Sequence, residues 1–161
     1  MFIEKICVAT DGSDLAVRAA QMAATLARAG GGRMVAVSVA QPQFSVRDCA
    51  AALPDAQAEL ARARQAALAH VDTVARIAHA GGVSCDTLTC LASAPGPEII
   101  RLAEEQACDL IVMGTHGPND ANRLFAGSVA QYVLANSAIP VLLLRLPREA
   151  SKPDFSDGPA A

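Results

Sequence analysis

Residues 109–128 read DLIVMGTHGPNDANRLFAGS: an apolar run, then Gly114, two residues, Gly117, nine residues, and Gly127 followed by Ser128. A short apolar run closed by glycine reads as a strand buried on both faces. The glycines that follow carry no Cβ, so the chain can turn sharply and its N–H groups can approach a bound anion. A helix starting at Ser128 points its positive end at the same anion. Each glycine alone has a plainer explanation, turn-making for Gly114 and Gly117 and relief of crowding for Gly127. Three glycines and a hydroxyl at these offsets, between a strand end and a helix start, predict instead a site for a phosphate-bearing small molecule.

Outward from this stretch, apolar runs alternate with helical patterns, which predicts βαβ units and a parallel sheet covered on both faces, an α/β fold. Residues 3–9 form the first strand. Asp11, Ser13 or Asp14 then offers a helix cap, and the Ala-rich helix to Arg28 stops at Gly30, Gly31 and Gly32. Residues 34–39 form the second strand, and 40–54, with two prolines and no clean period, a loop. Asp55 opens a long helix in which Leu60, Ala67, Val71, Val74 and Ala78 share one face, and Gly81 and Gly82 close it. Residues 83–91 alternate as a third strand, Pro97 with Glu98 opens the third helix, and residues 110–113 and 141–146 complete five strands.

The bulk properties fit one soluble domain. At 161 residues and 52% hydrophobic, a chain of this size buries roughly 70% of the surface its unfolded form exposes. Cys7, Cys49, Cys85, Cys90 and Cys108 are an odd number without a CxxC pair, and the start MFIEKICVAT lacks the apolar core of a signal peptide. These features predict a reduced, cytoplasmic protein. No apolar run reaches the ~20 residues of a membrane helix. A formal charge of −3 supplies no basic field, so neither a membrane nor nucleic acid is an expected partner.

The glycine spacing resembles the nucleotide-binding signature of the universal stress protein family (Gly, two residues, Gly, nine residues, Gly, Ser or Thr), matched here at all four positions. KICVATDGSDLAVRAAQMAATLA is similar to the family's first strand and helix, and GSVAQYVLANSAIPVLLLR to its last helix and strand; the likeness covers about residues 3–146. The resemblance implies a domain at residues 1–146, a three-layer α/β/α sandwich with a five-stranded parallel sheet in the order 3-2-1-4-5. This is the Rossmann-like fold of the adenine nucleotide alpha hydrolase-like type. It also implies ATP binding, with or without Mg²⁺, frequent dimerisation and a role in surviving stress, with no agreed chemical turnover; residues 141–146, an apolar strand at the sheet edge in this order, are expected to join a homodimer. Beyond Pro147 the tail REASKPDFSDGPAA lacks periodicity, so residues 147–161 are expected to be flexible.

In that strand order the winding reverses between strands one and four, where ligands of open parallel sheets bind. Carried over residue by residue, Ala9, Thr10 and Asp11 serve the adenine and ribose end and Val39 packs on the base. Met113 and Gly114 line the ribose and inner phosphates. His116, Gly117, Gly127, Ser128, Val129 and Ala130 hold the triphosphate through backbone N–H groups and the Ser128 hydroxyl. Asp11 before Gly-Ser also has the pattern of a helix cap, a role compatible with ligand contact. The chain departs from the family's usual loop at Pro118, Asn119 and Asp120. Pro118 removes one N–H from the anion-binding region, and Asp120 can either repel phosphate or help hold Mg²⁺.

Enzymatic signatures are missing from the sequence. No GxxxxGK[ST] string occurs, the two lysines (Lys5 and Lys152) lie outside glycine-rich loops, and no GxSxG elbow is present. His70 and His79, nine residues apart on one helix, fall on opposite faces and read as ordinary helix residues, not a metal pair. Cys85 and Cys90 point to opposite sides of a strand and read as buried thiols. A receiver domain would place an aspartate after strand three, where Leu91, Ala92 and Ser93 stand. The favoured reading is an ATP-binding regulatory module; the alternatives are a slow ATPase or self-phosphorylating protein, and a related scaffold that binds no nucleotide.

Overall fold

The central apolar runs become strands covered on both faces, and the alternation of side chains splits them between two cores. The computed structural model describes residues 2–42, 53–116 and 127–145. Nine elements follow one another in this region: β1 (Lys5–Ala9), α1 (Asp14–Gly30), β2 (Arg33–Ala40), α2 (Leu53–Ala80), β3 (Cys85–Leu91), α3 (Pro95–Glu105), β4 (Leu110–Gly114), α4 (Ser128–Asn136) and β5 (Val141–Leu144). All four strand pairings are parallel, and the sheet order is β3-β2-β1-β4-β5.

Ile6, Val8, Met34, Ala36, Leu110 and Val112 face α1 and α2, where Ala19, Ala23, Ala27, Val71, Val74 and Ala78 meet them. Cys7, Ala9, Val35, Val37, Ile111 and Met113 face the other way, onto Ile99, Leu102 and Ala103 of α3 and Ala130 and Val133 of α4. The result is the three-layer sandwich. The α1 face toward the sheet is almost all alanine, with Leu15 its one large member, so the helix lies close to the strands. Cys85 packs against the first core and Cys90 against the second, on opposite faces as their spacing requires, but on the edge strand β3 both are only partly buried, not the buried thiols expected. Burial pushes both thiols up. Cys49 and the tail lie outside the described residues.

Element boundaries depart from the sequence reading in a consistent way. α2 begins at Leu53 and α3 at Pro95, each two residues before the expected start. Proline is tolerated in a helix's first turn because its missing N–H has no intrahelical partner there. Pro54 and Pro95 therefore lie within their helices. β1 and β3 begin two residues later than expected, at Lys5 and Cys85, and β2 runs one residue longer at each end. The β5 ladder ends at Leu144, and Leu146 lies outside the described residues.

Two local devices hold the sheet's other end. Asp109 Oδ2 accepts from the N–H groups of Glu4 and Lys5 at 2.9 and 3.0 Å, tying the approach to β4 to the start of β1. After α3, Ala107 takes a left-handed conformation at φ 51°, and its N–H donates to Glu104 O at 2.9 Å. That position favours glycine. Replacing Ala107 by Gly is expected to raise unfolding free energy by about 0.5–1 kcal/mol, because strain at a Cβ is removed while chain entropy offsets part of the gain. Asp109→Ala is expected to lower it by about 1–3 kcal/mol. Urea titration checks both, and a destabilised Ala107→Gly variant contradicts the strain argument.

Candidate functional site

The site begins with the register of the central strands. Val8 pairs with Val112 and Ala9 with Val37, so the turn leaving β1 lies beside the carboxyl end of β4. The connections from β1 and β4 run to opposite sides of the sheet, and the crevice opens between them.

The turn after β1 is fixed by its own polar groups. Thr10 N–H donates to Val37 O at 2.9 Å, Gly12 N–H to Thr10 Oγ1 at 3.2 Å, and Ser13 N–H to Asp11 Oδ1 at 3.0 Å. Ser13, not Asp11, caps α1, its Oγ accepting from Ala16 N–H at 3.2 Å. Asp11 instead closes the turn with one carboxylate oxygen and is exposed.

Across the crevice, Gly114 has a packing role that the motif alone did not show. A Cβ there would fall 2.9 Å from Leu15 Cγ, so α1 and the end of β4 could not keep their spacing with a larger residue. Gly127 differs. Its φ of −61° and ψ of 164° suit any residue, so no turn demands glycine there. What the missing side chain does is leave α4 without a capping group: Gly127 makes no side-chain cap, and the first turn of α4 contains no acidic residue. The first N–H groups of a helix need partners and carry its positive end. Gly127 N–H donates to Thr115 O, which draws the start of α4 against the end of β4.

One cleft of about 330 Å³ gathers these parts, within the range of about 300–1,000 Å³ typical of small-molecule sites. Of the residues expected from sequence, Ala9, Thr10, Asp11, Val39, Met113, Gly114, His116, Gly127, Ser128, Val129 and Ala130 all line it. Gly117 lies outside the described residues, as do Pro118, Asn119 and Asp120. The same wall includes Gln41, Pro95, Ile99 and Thr115, which the sequence reading did not single out. Gln41 was findable, because it lies two positions beyond Val39; its Nε2 donates to Ser93 O at 3.2 Å and bridges the ends of β2 and β3. Thr115 lies inside the quoted motif, is 3% exposed, and its Oγ1 has no partner among the described residues. Pro95 and Ile99 were hidden by the misplaced start of α3. The lining joins apolar residues (Ala9, Val37, Val39, Ile99, Met113) to the Asp11 carboxylate and to the start of α4, where no side-chain cap is present among the described residues. Such a container fits an elongated ligand with a planar apolar body and a negatively charged tail.

His70 departs from the ordinary helix role expected of it: it packs on the Gly12 turn from α2. His79, Cys85 and Cys90 form no metal centre; among the described residues no cluster of three His, Cys, Asp or Glu side chains is present. No helix among them is long and apolar enough to cross a membrane.

An open doubly wound sheet with a crevice at its switch point defines a Rossmann-like α/β domain. The family model for the universal stress protein family matches residues 3–145, and the chain belongs to that family. A universal stress protein of Methanocaldococcus jannaschii is 34% identical over 147 residues, covering 91% of this chain and 84% of that one. One of Thermus aquaticus is 36% identical over 143 residues, covering 87% and 97%. A universal stress protein solved in complex with cAMP superposes with a TM-score of 0.68 at 27% identity, covering 91% of this chain and 100% of its own.

Because Gly114 is packed on Leu15, Gly114→Ala is expected to cost about 1–3 kcal/mol of stability, as overpacked core substitutions do. Thermal unfolding monitored by circular dichroism measures it; an unchanged Tm contradicts the packing role.

Proposed function

We propose that the cleft binds an adenine nucleotide, ATP alone or as its Mg²⁺ complex in the cell, and that occupancy switches the chain's partner contacts in a stress response. The observation that carries this reading is the uncapped amino end of α4, facing the Asp11 turn across one crevice. A phosphate tail satisfies the amides of Ser128, Val129 and Ala130, for which no side-chain cap is present among the described residues, and the Ser128 hydroxyl adds a donor. The base packs between Val39 and the apolar wall, with Asp11 accepting from ribose hydroxyls. The relative bound to cAMP supports an adenine nucleotide over other phosphate esters. We place the domain at residues 1–146, with 147–161 as its tail.

We further propose that two copies pair through β5. It is an edge strand of the sheet, and its four residues Val141, Leu142, Leu143 and Leu144 are each only half-buried. An apolar strand edge left open invites pairing with another chain. Light scattering is expected to give twice the monomer mass for the wild type and the monomer mass for Leu143→Arg; a monomeric wild type rules the β5 pairing out.

Gly127→Val tests the nucleotide reading directly. Valine fits the extended backbone at residue 127 but covers the amides behind it. Calorimetry is expected to show binding of ATP and AMP to the wild type and none to the variant, with thermal unfolding little changed. Equal affinity in the two proteins would falsify the assignment of the phosphate to α4.

A further inference from the structure

Gly12 forms the tip of the turn that carries Asp11, at φ +78°, and the space behind it is filled from a different layer of the fold. A Cβ on residue 12 would fall 2.4 Å from His70 Cδ2 and 2.4 Å from its Nε2. The opposite edge of the imidazole reaches back to the sheet: Nδ1 lies 3.4 Å from Ser38 Oγ, a hydroxyl on a residue 3% exposed. The ring is thus a wedge between the turn after β1 and the end of β2. Its own base is firm, since Ala67, Val71 and Val74 on the same stripe of α2 are buried. The other bonds of the turn are local or run to β2. His70 ties it to α2.

This contact lies on the far side of the turn from the nucleotide cleft. A second cleft, of about 350 Å³, opens there between α2 and the end of β2, bordered by Glu59, Arg62 and His70. Asp11, Val39 and Gln41 border both clefts. Asp11 therefore sits on a thin partition with the candidate ligand on one side and α2 on the other. A glycine turn has unusual conformational freedom, and a turn that must present a carboxylate at one place gains affinity if that freedom is removed before the ligand arrives.

We propose that His70 is a positioning residue for the nucleotide site: its ring, held against Ser38, braces the Gly12 turn from behind and fixes Asp11 at the ribose end of the cleft. This rests on the adenine-nucleotide reading above. Without the brace the turn samples several arrangements, and the apparent Kd rises by the inverse of the fraction that remains competent. The bond from Ser13 N–H to Asp11 keeps the local turn shape; the brace sets where that turn sits.

The test uses the full chain, with AMP as the probe. His70→Ala is expected to raise the calorimetric Kd for AMP about tenfold. In the unliganded protein it is expected to speed amide exchange at Gly12 and Ser13 about tenfold, leaving Val133 on the far layer unchanged. The Gly12→Ala penalty in urea unfolding is expected to shrink in the His70→Ala background, because only the left-handed strain remains once the ring is gone. His70→Gln, which keeps a polar end of similar reach, takes the same readouts if the alanine variant does not fold. A wild type that binds no AMP overturns the nucleotide reading and the role of His70 with it. A wild type that binds AMP, with affinity unchanged in the variant, overturns the role of His70 alone. Weakened binding with unaltered exchange at Gly12 and Ser13 also overturns it, since the loss then does not come from the turn.

Discussion

The parallel register between β1 and β4 is the constraint on which the site depends. With Cys7 beside Ile111 and Val8 beside Val112, backbone pairing delivers the Thr10–Ser13 turn to the side of Gly114. A one-residue slip of β4 against β1 would turn Ile111 and Met113 from the second core into the first and Val112 from the first into the second. Both strands are buried on both faces, so the sheet resists such a slip through packing on two sides. Loop positions around the crevice thereby inherit the precision of the sheet, although few of their own contacts are strong.

Small residues transmit that precision. The alanines of α1 allow the helix to approach β1 and β4 until Leu15 occupies the space a side chain on Gly114 would need. The helix is in turn anchored at its start by Ser13 and by Asp14 in its first turn, which suits the positive end of a helix. Contact between α1 and β4, the Ser13 cap and the Thr10 bond to Val37 form one connected unit. A ligand in the cleft meets a surface already ordered from behind, which limits the entropy lost on binding.

Much of this was legible in the sequence because it depends on short-range chemistry. Apolar runs gave five strands, the glycine clusters gave the ends of α1 and α2, and the resemblance carried the strand order. The misreadings have a common cause: they concern what another element does to a residue. Pro95 and Pro97 are both possible helix starters, and their local sequence does not say which one the end of β3 leaves free. The packing of Gly114 on Leu15 cannot be read from the motif, because Leu15 is far away in the chain. The spacing of His70 from His79 marks an ordinary helix residue, but its place on the buried Ala67–Val71–Val74 stripe turns it inward, toward Gly12. Thr115 and Gln41 were absent because the motif was read as glycines and amides, whereas a cleft wall is formed by every residue on the same face.

The amino end of α4 shows how stability and binding compete. A capping Ser, Thr, Asp or Asn in place of Gly127 would contribute typically about 1 kcal/mol relative to a residue without a side-chain acceptor, though less relative to glycine. It would do so by occupying the amides that a phosphate needs. α4 has nine residues and lacks a basic residue in its last turn, so its ends contribute little. What keeps it folded is the burial of Ala130 and Val133 against the second core, together with the Gly127 bond to Thr115. Tertiary packing therefore stabilises the helix from its flank, and among the described residues no side chain caps its tip. α1, which has its cap and its acidic first turn, lies on the other face of the sheet and contributes Ser13 and Ala16 to the wall of the cleft, not an uncapped end. Of these two helices at the crevice, α4 alone has, among the described residues, neither a side-chain cap nor an acidic residue in its first turn, and the proposed nucleotide's phosphate is assigned to it for that reason.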